Sequence, residues 1–342
     1  MPVNRRTFLM LSVGGAAALA LGHTASSRRG GTTARPMIEN AVTRRSWALG
    51  ADVSMTVLGA STSRAEQALD AAFAELETVE QVMSLYRPDS QLCRLNRDGV
   101  LDRPHPYLVE VLMAARETSR QSAGAFDVTV QPLWDLFASA RRRGEMPTDE
   151  QVSAARESVD WQALDVARHR VRLHSPAQAV TLNGIAQGFA ADRAVAALRR
   201  NGIEHALINS GEIGALGCKP DGADWTVGIQ HPREAAAYVS LAVLNGRSLA
   251  TSGDYETAFT ADFSQNHIFD PRTGLSPTAL ASVSILAPTA MQADALSTAA
   301  MVLGPERTLA LIDQLPNVDA LLVLKNGRML RTPGFTEAAE TS

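Results

Sequence analysis

Cysteine is almost absent from this sequence: Cys93 and Cys218 are the only two in 342 residues. Two thiols so far apart set no disulfide framework, and neither a CxxC pair nor a zinc pattern exists. A single Cys93–Cys218 bridge stays open for an oxidising compartment. Blocks of like charge are missing too. With 32 Lys and Arg against 36 Asp and Glu, the formal charge is −4, and nothing marks a nucleic-acid face. The N-terminal uncharged run, Thr7 to Gly22, falls short of the roughly 20 residues a spanning helix needs. No Gly-x-Ser-x-Gly elbow is present, which excludes a serine hydrolase of that type. In "NGIAQGFA", Gly184 and Gly188 are spaced too widely for a dinucleotide fingerprint, and no Walker lysine follows.

What is present begins with the N-terminus. Arg5-Arg6, then Thr7-Phe8-Leu9 and a short apolar run, read as a cleaved twin-arginine export signal over residues 1–25. No cysteine follows that could carry a lipid. The expectation is a periplasmic protein with no membrane span once the signal is removed. Residues 26–37, small and polar, read as a linker, 38–335 as the folded domain and 336–342 as a flexible tail. The length suffices for a full core, and 45% hydrophobic with 20% charged residues is ordinary for a globular chain.

Periodicity predicts strands from Ile38 and over Val53–Leu58, with a turn at Leu49-Gly50 between them. It predicts helices over Ser63–Met83, Tyr107–Ser122, Asp149–Ala155 and Ile185–Arg200, the last ending at Gly202. Short β-like runs follow at His205–Asn209, Trp225–Gln230, Val239–Leu244, Ser248–Thr251, His267–Asp270 and Ser282–Ala287. Helices over Asp294–Leu303 and Arg307–Leu315 and a hairpin within Ala320–Leu330 close the chain. Helices gather early and strands in the middle, so the fold class is α+β.

Four segments could carry chemistry. In "MQADALSTAAMVLG", Asp294 and Thr298 stand at i and i+4 on one helical face among apolar residues. A carboxylate there needs compensation: a hard cation such as Mg²⁺, or a hydrogen bond from a neighbouring turn. In "NHIFDPRTGLSP", His267 precedes a tight turn and could be a base or a structural histidine. "ATSGDYETAF" sets Ser252 and Gly253 at a strand end, which is common turn chemistry. "SAGAFDVTVQPLWDLF" sets Asp127 after a Gly-Ala-Phe turn.

Taken in order, "MSLYRPDSQLCRLN", "GAFDVTVQPLWDLF", "LNGIAQGFAADRA", "INSGEIGALG", "TSGDYE", "HIFDPRTG" and "ADALSTAAMVLG" resemble the ApbE family of FAD:protein FMN transferases over Ser46 to Leu324. The resemblance implies a family-specific ApbE-like fold of mixed sheets with packed helices, with FAD as substrate and a divalent cation, usually Mg²⁺. It implies cleavage of FAD, release of AMP, and FMN left phosphoester-linked to a Ser or Thr of an exported acceptor protein. Carried over by position, Asp294 and Thr298 match the metal-binding pair and Gly184 the residue whose carbonyl completes that site. Leu49, Tyr86, Ala125, Phe126, Asp127, Thr181, Gln187 and Ile268 match FAD-contacting positions. His267 matches the catalytic base, and with Asp294 makes the expected catalytic pair. Tyr86 and Phe126 offer an aromatic surface for a flavin.

The chain departs from the family pattern where an Asp gives way to Thr181, a Lys to Gln187 and a Met to Leu49. The Thr181 and Gln187 pair, with "GEIGALG" downstream, is similar to the NosX branch, whose acceptor is the FMN-carrying membrane protein NosR. Thr181 and Gln187 also leave open a non-transferring FAD-binding or assembly protein, and a Mg-dependent FAD pyrophosphatase is a third reading. The chain has no Asp-Gly-x-Ser/Thr-Gly-Ala target of its own, so it is expected to modify other proteins.

Overall fold

The computed structural model describes residues 40–338. The expected signal over 1–25, the linker over 26–37 and the last four residues lie outside them. Strand β1 (Ala41–Ala48) turns directly into β2 (Ala51–Leu58), with Ala48 facing Ala51 across the register. The two residues between them, Leu49 and Gly50, both have positive φ (55° and 77°). That geometry matches the twist of a tight hairpin, but it is uncommon for leucine.

Helix α1 (Thr62–Met83) starts at Ser61, whose hydroxyl accepts the Arg64 N–H. Its buried face is the one the periodicity marks: Ala65, Ala68, Leu69, Ala72, Leu76, Val79 and Met83. Then come α2 (Gln91–Asp98), β3 (Val100–Asp102), α3 (Pro106–Gln121), α4 (Gln131–Arg142) and α5 (Asp149–Arg156). Strands β4 (Leu164–Ala167) and β5 (Arg170–Leu173) join β3 in a small sheet. Helix α6 (Ala186–Arg200) leads to β6 (His205–Asn209), β7 (Ile213–Leu216), β8 (Thr226–Gln230), β9 (Tyr238–Val243), β10 (Ser248–Gly253) and β11 (Leu280–Ala287). Helix α7 (Ala290–Ile312), β12 (Asp319–Leu324) and β13 (Met329–Arg331) close the order.

Eight strands make one antiparallel sheet in the order β1-β2-β6-β7-β10-β11-β12-β13. Alternation along β6 shows how it is covered. Ala206 and Ile208 pack on the helical side with α1 and α6, while Leu207 faces Trp225 and Val227 of the β8–β9 hairpin layer. β11, sandwiched between α7 and that second layer, is buried at all eight positions. The fold is α+β.

Two expectations need correction. His267–Asp270 is not a strand but a loop held by side chains: Asn266 Oδ1 accepts the Ile268 N–H, and Asp270 Oδ1 accepts the Arg272 N–H. The two helices expected over Asp294–Leu303 and Arg307–Leu315 are both there, as the two halves of α7, which is broken at the non-helical Gly304 (φ 75°) just before Pro305, a residue without a backbone donor. Residues 336–338 are not a free tail. Val243 donates to the Thr336 carbonyl and Ala338 donates to the Leu241 carbonyl, adding a short edge beside β9. Both cysteines are free thiols.

Candidate active site

Two helices cap one another at the centre of the molecule. The start of α6 lacks a side-chain cap of its own, and Asp294 Oδ2 of α7 accepts its Gly188 N–H at 2.9 Å. In return Asp192 of α6 accepts the Ala290 and Met291 N–H groups at 2.8 and 2.9 Å, at the start of α7. Each carboxylate therefore serves the positive end of the other helix. The approach is so close that a Cβ on residue 188 would collide with the Ala290 carbonyl, and glycine is required there. Burial pushes Asp192 up to about 6, against the two N–H donors that favour its charged form.

The hydrogen bond from Gly188 is the compensation the sequence allowed as the alternative to a cation, but it is incomplete. Asp294 is 3% exposed, and burial pushes its carboxyl up to about 7 despite that donor. Glu212, in the β6–β7 turn, is buried nearby and, among the described residues, accepts the Thr251 N–H at 3.2 Å as its one hydrogen bond. Its carboxyl is raised well above the ordinary range, first by burial and then by the charge of Asp294. Thr298, one turn after Asp294, has its Oγ1 against Gly184: a Cβ at residue 184 would lie 2.8 Å from it.

These groups form the floor of a cleft of about 330 Å³. Among the described residues that line it there are five carboxylates (Glu80, Asp127, Glu212, Glu256 and Asp294) and neither lysine nor arginine. No three His, Cys, Asp or Glu side chains form a metal cage among the described residues. The oxygens at hand are instead one acidic corner and the Thr298 hydroxyl, with Gly184 beside it. Oxygen donors of this kind are those that suit a hard cation.

His267 forms part of the wall. Its Nδ1 is buried with no hydrogen-bond partner. Burial lowers its pKa to about 4, against smaller opposing effects from the Thr257 backbone and the Asp254 charge. The imidazole is thus neutral near pH 7 and able to accept a proton.

Every residue expected to contact FAD lines the same cleft. Tyr86 stands at its mouth, 71% exposed. Leu49, in its left-handed turn, offers its carbonyl to Gln187 Nε2 at 3.3 Å. Thr181 accepts the Asn183 N–H, so neither departure from the family pattern brings a charge. Phe126 qualifies the expectation of an aromatic surface: although it lines the cleft it is 4% exposed and belongs to the core that also holds α1, so it offers little open face. Asp127 is likewise committed, accepting from Thr129 and from the Trp161 N–H, and burial raises it to about 6.

Glu212, Ser252 and Trp134 also line the cleft. Their segments stand out in the sequence, but nothing in local spacing says that "GEIG" and "TSGD" meet α7.

The ApbE family model matches residues 49–322. A FAD:protein FMN transferase of Vibrio cholerae is 33% identical over 276 residues, covering 78% of this chain and 80% of that one. One of Treponema pallidum is 33% identical over 294 residues, covering 79% and 80%. Among solved structures, the ApbE protein of Thermotoga maritima superposes with a TM-score of 0.78 at 26% identity, covering 86% of this chain and 98% of that one. The flavinyl transferase ApbE of Pseudomonas stutzeri, in its apo form, gives 0.74 at 30% identity, covering 86% and 94%.

Proposed function

The chain belongs to the ApbE family and is a transferase, and on that premise we propose that it moves FMN from FAD to a hydroxyl of an exported protein. The observation that carries this reading is the cleft itself. Buried Asp294 and Glu212 share the cleft with Thr298, Gly184 and a neutral imidazole, and among the described residues no lysine or arginine lines it.

The substrate's pyrophosphate is anionic, and this floor is anionic too. Asp294, Thr298 and the Gly184 carbonyl would hold a divalent cation such as Mg²⁺. When bound, that ion neutralises phosphate oxygens and polarises the phosphorus. His267 takes the proton of the attacking Ser or Thr hydroxyl. The hydroxyl oxygen bonds to the phosphorus on the FMN side, the bond from that phosphorus to the bridging oxygen breaks, and AMP leaves with that oxygen. Negative charge from substrate raises the basicity of His267 as the complex forms, because an anion nearby favours the imidazolium. Tyr86 at the mouth supplies a face for the isoalloxazine ring.

The twin arginine at Arg5-Arg6 supports export and a periplasmic site of action. The neutral pair Thr181 and Gln187 supports a NosX-like branch with a membrane-anchored NosR-like acceptor. The test is to incubate the protein with FAD, Mg²⁺ and a candidate acceptor domain, following acceptor mass and free AMP. Labelled acceptor with equimolar AMP is expected. AMP without label means a pyrophosphatase; neither product means a FAD-binding protein.

A further inference from the structure

Four oxygens are linked in a chain along one side of the cleft. Thr298 Oγ1 lies 3.2 Å from Ser252 Oγ, and Ser252 Oγ lies 2.7 Å from Ser297 Oγ. Ser297 Oγ in turn lies 2.9 Å from the backbone carbonyl of Asp294. A carbonyl can only accept, and each hydroxyl has one proton to give. Ser297 must therefore donate to Asp294. With that proton spent, Ser297 can only accept from Ser252. Ser252, its own proton spent, can only accept from Thr298. Any other arrangement leaves one of the three contacts with no proton between its oxygens. Proton counting alone sets the direction of the whole chain.

The consequence falls on Thr298. Its O–H points backward to Ser252, so its lone pairs are left for the side where Gly184 and Asp294 lie. A hydroxyl is a good ligand for a hard cation only if its proton is turned away. We propose that Ser252, backed by Ser297, is a positioning residue that holds the Thr298 hydroxyl with its proton turned toward β10, and so presets it as a neutral cation ligand. The inference rests on the cation site of the proposed function and adds to it a residue outside the donor set. It also explains the pairing of a β10 serine with two consecutive residues of α7, which otherwise would be an ordinary polar contact between a strand end and a helix.

The test uses the full chain without FAD and Mn²⁺ as probe, with free Mn²⁺ read by its paramagnetic signal, and repeats the series with FAD present. Ser252→Ala is expected to weaken Mn²⁺ binding about tenfold, as loss of a partner behind a metal ligand does. Ser252→Thr, which keeps the hydroxyl, should restore most of it. In turnover, Ser252→Ala should raise the Mg²⁺ concentration for half-maximal rate while kcat at saturating Mg²⁺ stays near the parent value, a split that a general loss of packing does not produce. Ser297→Ala, which frees the Ser252 proton to point at Thr298, should fall between the two. Parent-like Mn²⁺ affinity in folded Ser252→Ala overturns the positioning role, and so does a Ser252→Thr variant as weak as the alanine one. Should Ser252→Ala not fold, the Ser252→Thr and Ser297→Ala pair decides: equal affinity in parent and Ser297→Ala sinks the proposal. Failure of the cation site itself looks different, since the parent protein would then bind no Mn²⁺ and match Asp294→Ala.

Discussion

Asp254 and Asp294 are both buried carboxylates, and the two are compensated in opposite ways. Asp254 is wholly buried and arrives with its own cations: Arg233 grips it in two-pronged fashion at 2.7 and 2.8 Å, and Lys325 stands 3.3 Å away. Arg233 also lies over the Phe263 ring, 4.3 Å from its centroid. Asp294 has one backbone N–H and a second carboxylate, Glu212, for a neighbour. Burying a charge is costly unless it is paired. Asp254 meets that cost at folding and belongs to the scaffold that carries the His267 loop. Asp294 leaves it unmet within the protein, which is the property the proposed cation site needs.

The comparison breaks most severely at Asp294. Asp294→Ala should lower transfer by roughly 10²–10³-fold, the size of losing one organised electrostatic contact at a reacting phosphate, and should remove stabilisation by Mg²⁺. Its metal-free stability should change little, because the lost cap on Gly188, worth about 1 kcal/mol, is offset by removal of an unpaired buried carboxyl. Acceptor labelling and thermal melts with and without Mg²⁺ check both halves. Unimpaired transfer would refute the assignment.

At Asp254 the pattern should invert. Asp254→Ala strands Arg233 and Lys325 and should cost about 3 kcal/mol of stability, equally with and without Mg²⁺. Urea unfolding measures it. A loss confined to the Mg²⁺-bound protein would place Asp254 in the site instead of the scaffold.

The sequence made these two carboxylates unequally legible. Asp294 and Thr298 stand one helical turn apart in an apolar run, so their shared face could be read from spacing alone. The β1–β2 turn, α1 and β6 were legible for the same reason: period and turn chemistry are local. Asp254 sits in a Ser-Gly-Asp stretch that looks like any turn, and its partners Arg233 and Lys325 come from distant loops that only the folded sheet brings together. His267 was misplaced on a strand because its apolar neighbours mimic one, whereas side chains of Asn266 and Asp270 take up the backbone groups. Phe126 read as a flavin platform because it is one of few aromatics near the matching segments; its burial comes from a core that also holds α1, far away in sequence. The serine chain behind Thr298 was invisible, since Ser252 meets α7 only through tertiary packing.

A smaller effect sharpens the role of Asp192, the carboxylate that caps α7. Asn offers one acceptor for two N–H donors, so Asp192→Asn should cost about 1 kcal/mol near pH 4. Burial raises Asp192 to about 6 in the folded protein, against an ordinary value of 3.8. The native state therefore holds its proton through this range while the unfolded chain releases it. Stability of the parent then declines as pH climbs from about 4 to about 6, and the Asn variant lacks this titration. The gap between them should narrow over that window. Urea midpoints at both ends read it, and a gap that widens contradicts the raised pKa.

The smallest expected effect tests whether a fixed cation can do for the cleft what Arg233 and Lys325 do for Asp254. Gln187 donates to the Leu49 carbonyl and lies against Gly211, next to Glu212. Gln187→Lys would set an ammonium beside that carboxylate. Such a pair at a partly open site is worth under about 1 kcal/mol, so FAD should bind on the order of threefold tighter without Mg²⁺, with Mg²⁺ dependence correspondingly shallower. Quenching of flavin fluorescence in metal-free buffer measures it. Weaker FAD binding by the lysine variant would mean that the cleft's deficit is one of shape at Gly211 and not of positive charge.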